Sequence, residues 1–169
     1  IESVSDVCTG SGWLAILAAL TFPNATVDGV DISAAALAIA KQNIEDYGLE
    51  DRVCALNSDL YSAVSDKKYD IIISNPPYVN EDSMQALPAE YKREPRSALA
   101  GGEDGMDLVR TILAQAADHL NDNGILILEI GNEYDHFCTA FPELEPIWLS
   151  TETADDQILL LHKEQLLNR

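Results

Sequence analysis

Positive charge is scarce in this chain. Ten lysines and arginines stand against 29 aspartates and glutamates, for a formal net charge of −19. Binding to nucleic-acid phosphate needs clustered Lys and Arg, so the balance argues against a nucleic-acid partner and for attraction to a basic one. Solubility, or adaptation to salt, explains the same acidity equally well. Cysteine is sparse too. Cys8, Cys54 and Cys138 form no Cys-x-x-Cys pair, and their odd number and scatter suit a reducing, cytoplasmic setting. His119, His136 and His162 lack metal-ligand spacing with one another or with the cysteines. They read as surface or structural residues, and no metal is expected. No apolar run approaches the ~20 residues of a membrane span, and no signal-peptide pattern is present. What remains is one globular domain of 169 residues, 47% hydrophobic, long enough for a sizeable core. The first residue is Ile1, not methionine, and the chain runs almost at once into an apolar stretch. A preceding stretch is therefore expected to be missing.

Four short constellations carry the chemistry. The run Tyr69 to Ser74 reads as a buried strand, and Asn75-Pro76-Pro77-Tyr78 follows it directly. An asparagine side chain and a Pro carbonyl can both accept hydrogen bonds from one NH2 group, and the Pro-Pro step stiffens the backbone that carries them. The tyrosine ring offers a flat face for a planar amide or a base. A Pro-rich loop with a core tyrosine is the plainer alternative. Upstream, Val4 to Cys8 reads as a strand, followed by Thr9-Gly10-Ser11-Gly12 and an apolar helix from Trp13 to Leu20. Strand, glycine turn and helix form the nucleotide-binding entry of an open α/β sheet. Cys8 occupies the place where a first glycine is expected.

The other two constellations are acidic. Asp31 ends a second strand, Thr26 to Val30, about 20 residues past the glycines, where an acid can hold a ribose diol. An ordinary strand-end cap is the alternative, and Asp28, inside the strand, is a weaker candidate. Ser33 reads as the N-cap of a helix through Tyr47, with Gly48 as its stop. A third strand, Arg52 to Ser58, leads to Asp59-Leu60. Here the acid could accept from an adenine amino group and the leucine cover the ring, unless Asp59 is only a turn residue. All four constellations fall at the C-terminal ends of successive strands, where open α/β sheets bind ligands.

Taken together, the chain resembles the class I S-adenosylmethionine-dependent methyltransferases. More narrowly, it resembles the protein-glutamine methyltransferases that modify release factors and ribosomal protein L-three. The residues that carry this are Asp6 to Gly12, Val30 to Ser33, Ser58 to Leu60 and Ser74 to Val79. Narrower markers are Arg93 to Leu99 and Gly102 to Asp107. Cysteine before Thr-Gly-Ser-Gly, and the tail from Phe141 to Leu166, are more similar to the ribosomal-protein branch than to the release-factor branch. The resemblance covers essentially the whole chain. It implies a Rossmann-like fold: a mostly parallel seven-stranded sheet with an antiparallel C-terminal strand and helices on both faces. Residues 1–169 would be the S-adenosylmethionine-binding catalytic domain, with a helical N-terminal substrate-binding domain missing. The donor would contact Cys8, Thr9, Gly10, Ser11, Gly12, Asp31, Ile32, Asp59, Leu60 and Asn75, and leave as S-adenosylhomocysteine. Asn75, Pro76, Pro77 and Tyr78 would hold a glutamine amide in a protein substrate. Methylation of a base amine in RNA or DNA is the more distant implication.

Elsewhere the pattern alternates strand and helix. The stretch 81–105, with Tyr91, Arg93, Glu94 and Arg96, reads as a substrate-facing lid. Leu108, Ile112, Ala116 and Leu120 share one face of a helix over 107–120, ended by Asn123-Gly124. A fifth strand is expected over 124–130, a helix over 132–141, and final strands over 146–149 and 157–162. Glu129 receives no role from the sequence.

Overall fold

The computed structural model describes residues 1–79, 101–150 and 155–168. Apolar runs bounded by glycine, proline or polar turns become the strands β1 (Ser3–Val7), β2 (Thr26–Asp31), β3 (Val53–Asn57), β4 (Tyr69–Ser74), β5 (Leu120–Glu129), β6 (Ile147–Leu149) and β7 (Ile158–His162). Between and after them lie the helices α1 (Trp13–Thr21), α2 (Ala34–Asp46), α3 (Asp107–Ala116), α4 (Tyr134–Ala140) and α5 (Lys163–Leu167). The strands form one seven-stranded sheet in the order β3-β2-β1-β4-β5-β7-β6. Strands β1 to β5 pair in parallel, and β7 runs antiparallel to both of its neighbours, β5 and β6. This is the Rossmann-like, mostly parallel sheet that the resemblance implied.

Helices cover both faces, and two cores result. Ala15, Ile16 and Ala19 of α1 and Ile44 of α2 pack with Val4, Val27 and Ile71 on one side. Val109, Ile112 and Leu113 of α3, Phe137 of α4 and Leu166 of α5 pack with Val7, Ile72, Leu126 and Leu161 on the other. Residues of one strand divide between the cores because successive side chains point to opposite faces. The strand order reverses between β1 and β4. That reversal opens a crevice at the strands' C-terminal ends, the usual ligand position in such sheets.

Local signals explain most boundaries. The Ser33 hydroxyl accepts from the Ala36 amide at 3.2 Å and starts α2, and Gly48, at φ +64°, stops the chain from continuing it. The region after α3 differs from expectation. The helix ends at Ala116, and a 3-10 turn over Ala117–His119 leads straight into β5. Leu120 already pairs with Tyr69, but the next partners are Ile71 and Ile125. The polar residues between them bulge out, with Asn123 at φ +65°. Asn123-Gly124 is thus a bulge within a strand rather than a helix stop. Helix α5 has no counterpart in the sequence reading. The expected lid, with Tyr91, Arg93, Glu94 and Arg96, lies almost wholly outside the described residues.

Candidate active site

The crevice is built around a buried carboxylate. Asp6, on β1, has no solvent exposure. Its Oδ2 accepts from the Ala15 amide at 2.9 Å and from the Thr9 hydroxyl at 2.5 Å, so one oxygen ties the glycine turn to the first turn of α1. Its Oδ1 has no partner among the described residues. Burial pushes the carboxyl up to about 7, against the two bonds that favour the ionised form. The turn itself is left-handed at Cys8 (φ 64°), Gly10 (φ 56°) and Gly12 (φ 84°). The Cys8 value explains why glycine is the natural occupant of that position. Gly12 N-caps α1 with no side chain of its own, and with the Ala15 amide bound to Asp6 it is the Trp13 and Leu14 amides that face the turn's mouth for a ligand.

Two features missing from the sequence reading shape this turn. Gly29, inside β2, lies under Thr9, and a Cβ there would come within 2.9 Å of the Thr9 hydroxyl. Asn43 on α2 donates from Nδ2 to the Ser11 carbonyl at 2.8 Å, bracing the turn from the helix side. A signal existed for Gly29, since glycine is rare inside a buried strand and marks close approach. Asn43 carried none.

Asp31 stands at the end of β2 as expected. Its Oδ2 accepts from the Gly10 amide and its Oδ1 from the Ser33 amide, both at 2.8 Å. Its carboxylate therefore joins the glycine turn to the start of α2, and its remaining lone pairs are what a diol would meet. Ile32, next along, is 72% exposed and presents apolar surface beside it. Asn57, at the end of β3, fixes this corner by donating from Nδ2 to the Asp31 and Ile32 carbonyls, at 3.1 and 3.0 Å. Asp59 is exposed at the adjacent strand end. Leu60 is more enclosed than Ile32. A left-handed residue (φ 46°), held by the Ser58 hydroxyl donating to its carbonyl at 2.6 Å, turns its side chain into the core at 8% exposure. Of the two residues, Ile32 is the one whose apolar surface is exposed.

Across the crevice, Ser74 ends β4 with its hydroxyl donating to the Val7 carbonyl at 2.7 Å. This places Asn75, which is exposed, next to the glycine turn, while Pro76 is buried. Tyr78 is half-buried, and its hydroxyl donates to Glu129 Oε1 of β5 at 3.1 Å. The thiol of Cys8 is pushed up to about 12 by burial and by the carboxylates of Asp31, Asp6 and Asp59. It is a neutral packing group, not a nucleophile. Asp28 is structural: it accepts from the Tyr69 hydroxyl at 2.8 Å and pairs with Lys67 at 2.7 Å.

The histidines are structural as well. His119 stacks on Tyr61 with centroids 4.4 Å apart, His136 pairs with Glu133, and His162 caps α5. The Gly-Glu-Asp-Gly segment builds the start of α3. Asp104 accepts from the Met106 amide at 3.0 Å and pairs with Arg110, whose guanidinium holds the Asp104 carboxyl down to about 2.

Residues 1–91, which include the glycine turn and Asn75 to Tyr78, match the methyltransferase small domain family. The chain belongs to that family. The methyltransferase domain is 57% identical over 166 residues to the ribosomal protein uL3 glutamine methyltransferase of Bordetella pertussis, covering 98% of this chain and 56% of that protein. It is 51% identical over 173 residues to the protein of the same name from Burkholderia pseudomallei, with the same coverage of 98% and 56%. The chain thus spans just over half the length of these curated relatives. Among solved structures, a methyltransferase from Pyrococcus furiosus superposes with a TM-score of 0.63 at 20% identity, over 96% of this chain and 75% of that one. This likeness shows the same fold.

Two measurements test the turn. Gly29→Ala forces a methyl group against Thr9 and is expected to destabilise the domain by about 1–3 kcal/mol, read from the urea midpoint. For Asp6, the folded carboxyl titrates near 7, above its unfolded value, so ionising it costs stability as pH rises from about 4 to about 7. Asp6→Asn keeps an acceptor for Ala15 and Thr9 without the charge. Its stability relative to the parent should improve steadily over that pH range and then level off. A parallel pair of pH profiles would contradict the assignment.

Proposed function

We propose that this domain transfers a methyl group from S-adenosylmethionine to the side-chain amide nitrogen of a glutamine in ribosomal protein uL3 (L-three above). The observation that carries the reading is Asn75-Pro76-Pro77-Tyr78 at the β4 end, beside the glycine turn, in a chain 57% identical to a protein of that name. The residues present suit the cofactor. Nothing lies within 4 Å of where a Gly10 Cβ would stand, so the turn is open to a ligand. Asp31 offers free lone pairs to a ribose, Ile32 offers apolar surface and Asp59 an acceptor to adenine, and the Thr9 to Gly12 backbone meets the amino-acid end. When bound, the cofactor supplies an electrophilic methyl carbon on a positively charged sulfur.

The chain's own residues then supply orientation and charge complementarity. An amide nitrogen is a weak nucleophile because its lone pair is shared with the carbonyl. Asn75 Oδ1 and the Pro76 carbonyl accept its two hydrogens and fix its position, which removes much of the entropic cost of the encounter. Both acceptors bind more strongly as the nitrogen becomes positive, so they favour the transition state over the ground state, and the surplus proton on the methylated nitrogen then leaves to water. Tyr78 stacks on the amide plane. The strongly acidic chain draws a basic ribosomal protein toward it. On this reading the enzyme works in the cytoplasm, where ribosomal proteins are made.

The deciding experiment offers the full-length protein and S-adenosylmethionine to unmethylated uL3 and to release factor in separate reactions. Intact mass and then peptide fragmentation are read. One methyl on a uL3 glutamine is expected. A gain on release factor alone would move the enzyme to the sister branch, and no gain on either would overturn the reading. Asn75→Ala should lower kcat by about 10²–10³ with cofactor affinity retained. Asp31→Ala should weaken cofactor binding first, measured by calorimetry.

A further inference from the structure

We propose that Glu129 is a positioning residue for methyl transfer and acts through Tyr78. The inference rests on the function proposed above and adds to it a residue that the sequence left without a role. Tyr78 is held on several sides. Its hydroxyl donates to Glu129 Oε1 at 3.1 Å. Its ring lies against the backbone of Gly131, two residues beyond Glu129, where an added Cβ would overlap ring carbons. Gly131 takes a left-handed φ of 54°, which suits glycine in any case. At the backbone of the same residue, Gly105 packs against the Tyr78 carbonyl and Gly101 against its Cα. The Gly101 amide donates to the Val79 carbonyl at 2.9 Å, and the Asp107 amide, at the start of α3, donates back to Gly101 at 3.0 Å.

Two segments far apart in sequence therefore converge on one tyrosine. The glycines allow the approach, and Glu129 supplies the directional contact. A hydrogen bond to a carboxylate is stronger than one between neutral groups, so it fixes the ring's tilt as well as its place. It also moves electron density toward the phenol, making the ring face a better neighbour for a nitrogen that gains positive charge. Packing alone would hold the ring's position without selecting its tilt or its electron density.

The test compares Glu129→Ala, Glu129→Gln, Tyr78→Phe and the Glu129→Ala/Tyr78→Phe double variant of the full-length enzyme. Methylation of uL3 by the unaltered enzyme is measured first, and its failure would count against the proposed function rather than against Glu129. With that activity in hand, Glu129→Ala and Tyr78→Phe should each lower kcat about tenfold or more, with calorimetric cofactor affinity unchanged. Glu129→Gln, which keeps an acceptor, should recover part of the loss. The double variant should be no slower than the worse single one, because both break the same contact. Thermal midpoints identify any variant that loses activity by unfolding, and Tyr78→Phe, the mildest change, carries the comparison there. A Glu129→Ala enzyme within twofold of the parent, or single losses that multiply in the double variant, would overturn the proposal.

Discussion

The parallel pairing of β1 with β4, where the strand order reverses, is the constraint on which the rest depends. Val7 lies opposite Ser74, and the Ser74 hydroxyl binds the Val7 carbonyl at the last step of that register. One residue later on each strand the chain leaves the sheet, as the glycine turn on one side and as Asn75 on the other. A slip of one residue would turn the side chains of β4 to the opposite face, exchanging Ile71 and Ile72 between the two cores. The cores thus fix the register, and the register sets the distance between the two halves of the site. Chemistry at the crevice is positioned by apolar packing well below it.

Electrostatics at the crevice has a single sign. Asp6, Asp31 and Asp59 all raise the cost of ionising Cys8, so their fields overlap at the mouth of the glycine turn. Asp31 offsets part of its charge against the Gly10 and Ser33 amides, and Asp6 does so against Ala15 and Thr9. No lysine or arginine is found among the described hydrogen-bond partners of these three carboxylates. Cationic groups are therefore favoured at this end of the sheet and anionic ones disfavoured. The same excess of carboxylates runs through the whole chain, whose formal net charge is −19.

Much of this was legible in the sequence because the chemistry sits next to its signal. Each expected site segment directly follows an apolar run, and an apolar run bounded by turn residues is the plainest mark of a buried parallel strand. Sheet class, strand ends and the places of Thr9, Asp31 and Asn75 followed from that. What escaped depends on contacts between distant segments. Glu129 meets Tyr78 across 51 positions, and Asn43 reaches Ser11 across 32. Leu60 takes a left-handed backbone that cannot be foreseen for a leucine, and its side chain packs at the edge of the core at 8% exposure. The bulge before Gly124 looked like a helix stop because Asn-Gly serves both purposes, and only the pairing with β4 decides between them.

The place of β7 bears on how the chain is made. It lies between β5 and β6 although it is synthesised after both. As the chain leaves the ribosome, β1 to β5 can join in turn, each beside a strand already present. When β6 emerges it finds no partner, because its neighbour does not yet exist. Until Ile158 to His162 arrive, the outer edge of β5 stays open, with an apolar Ile-Leu-Ile-Leu ladder ready to pair with another chain. The hazard of misassembly is thus concentrated in the interval between the emergence of β5 and that of β7, and a single segment seals the edge of β5 and gives β6 its place.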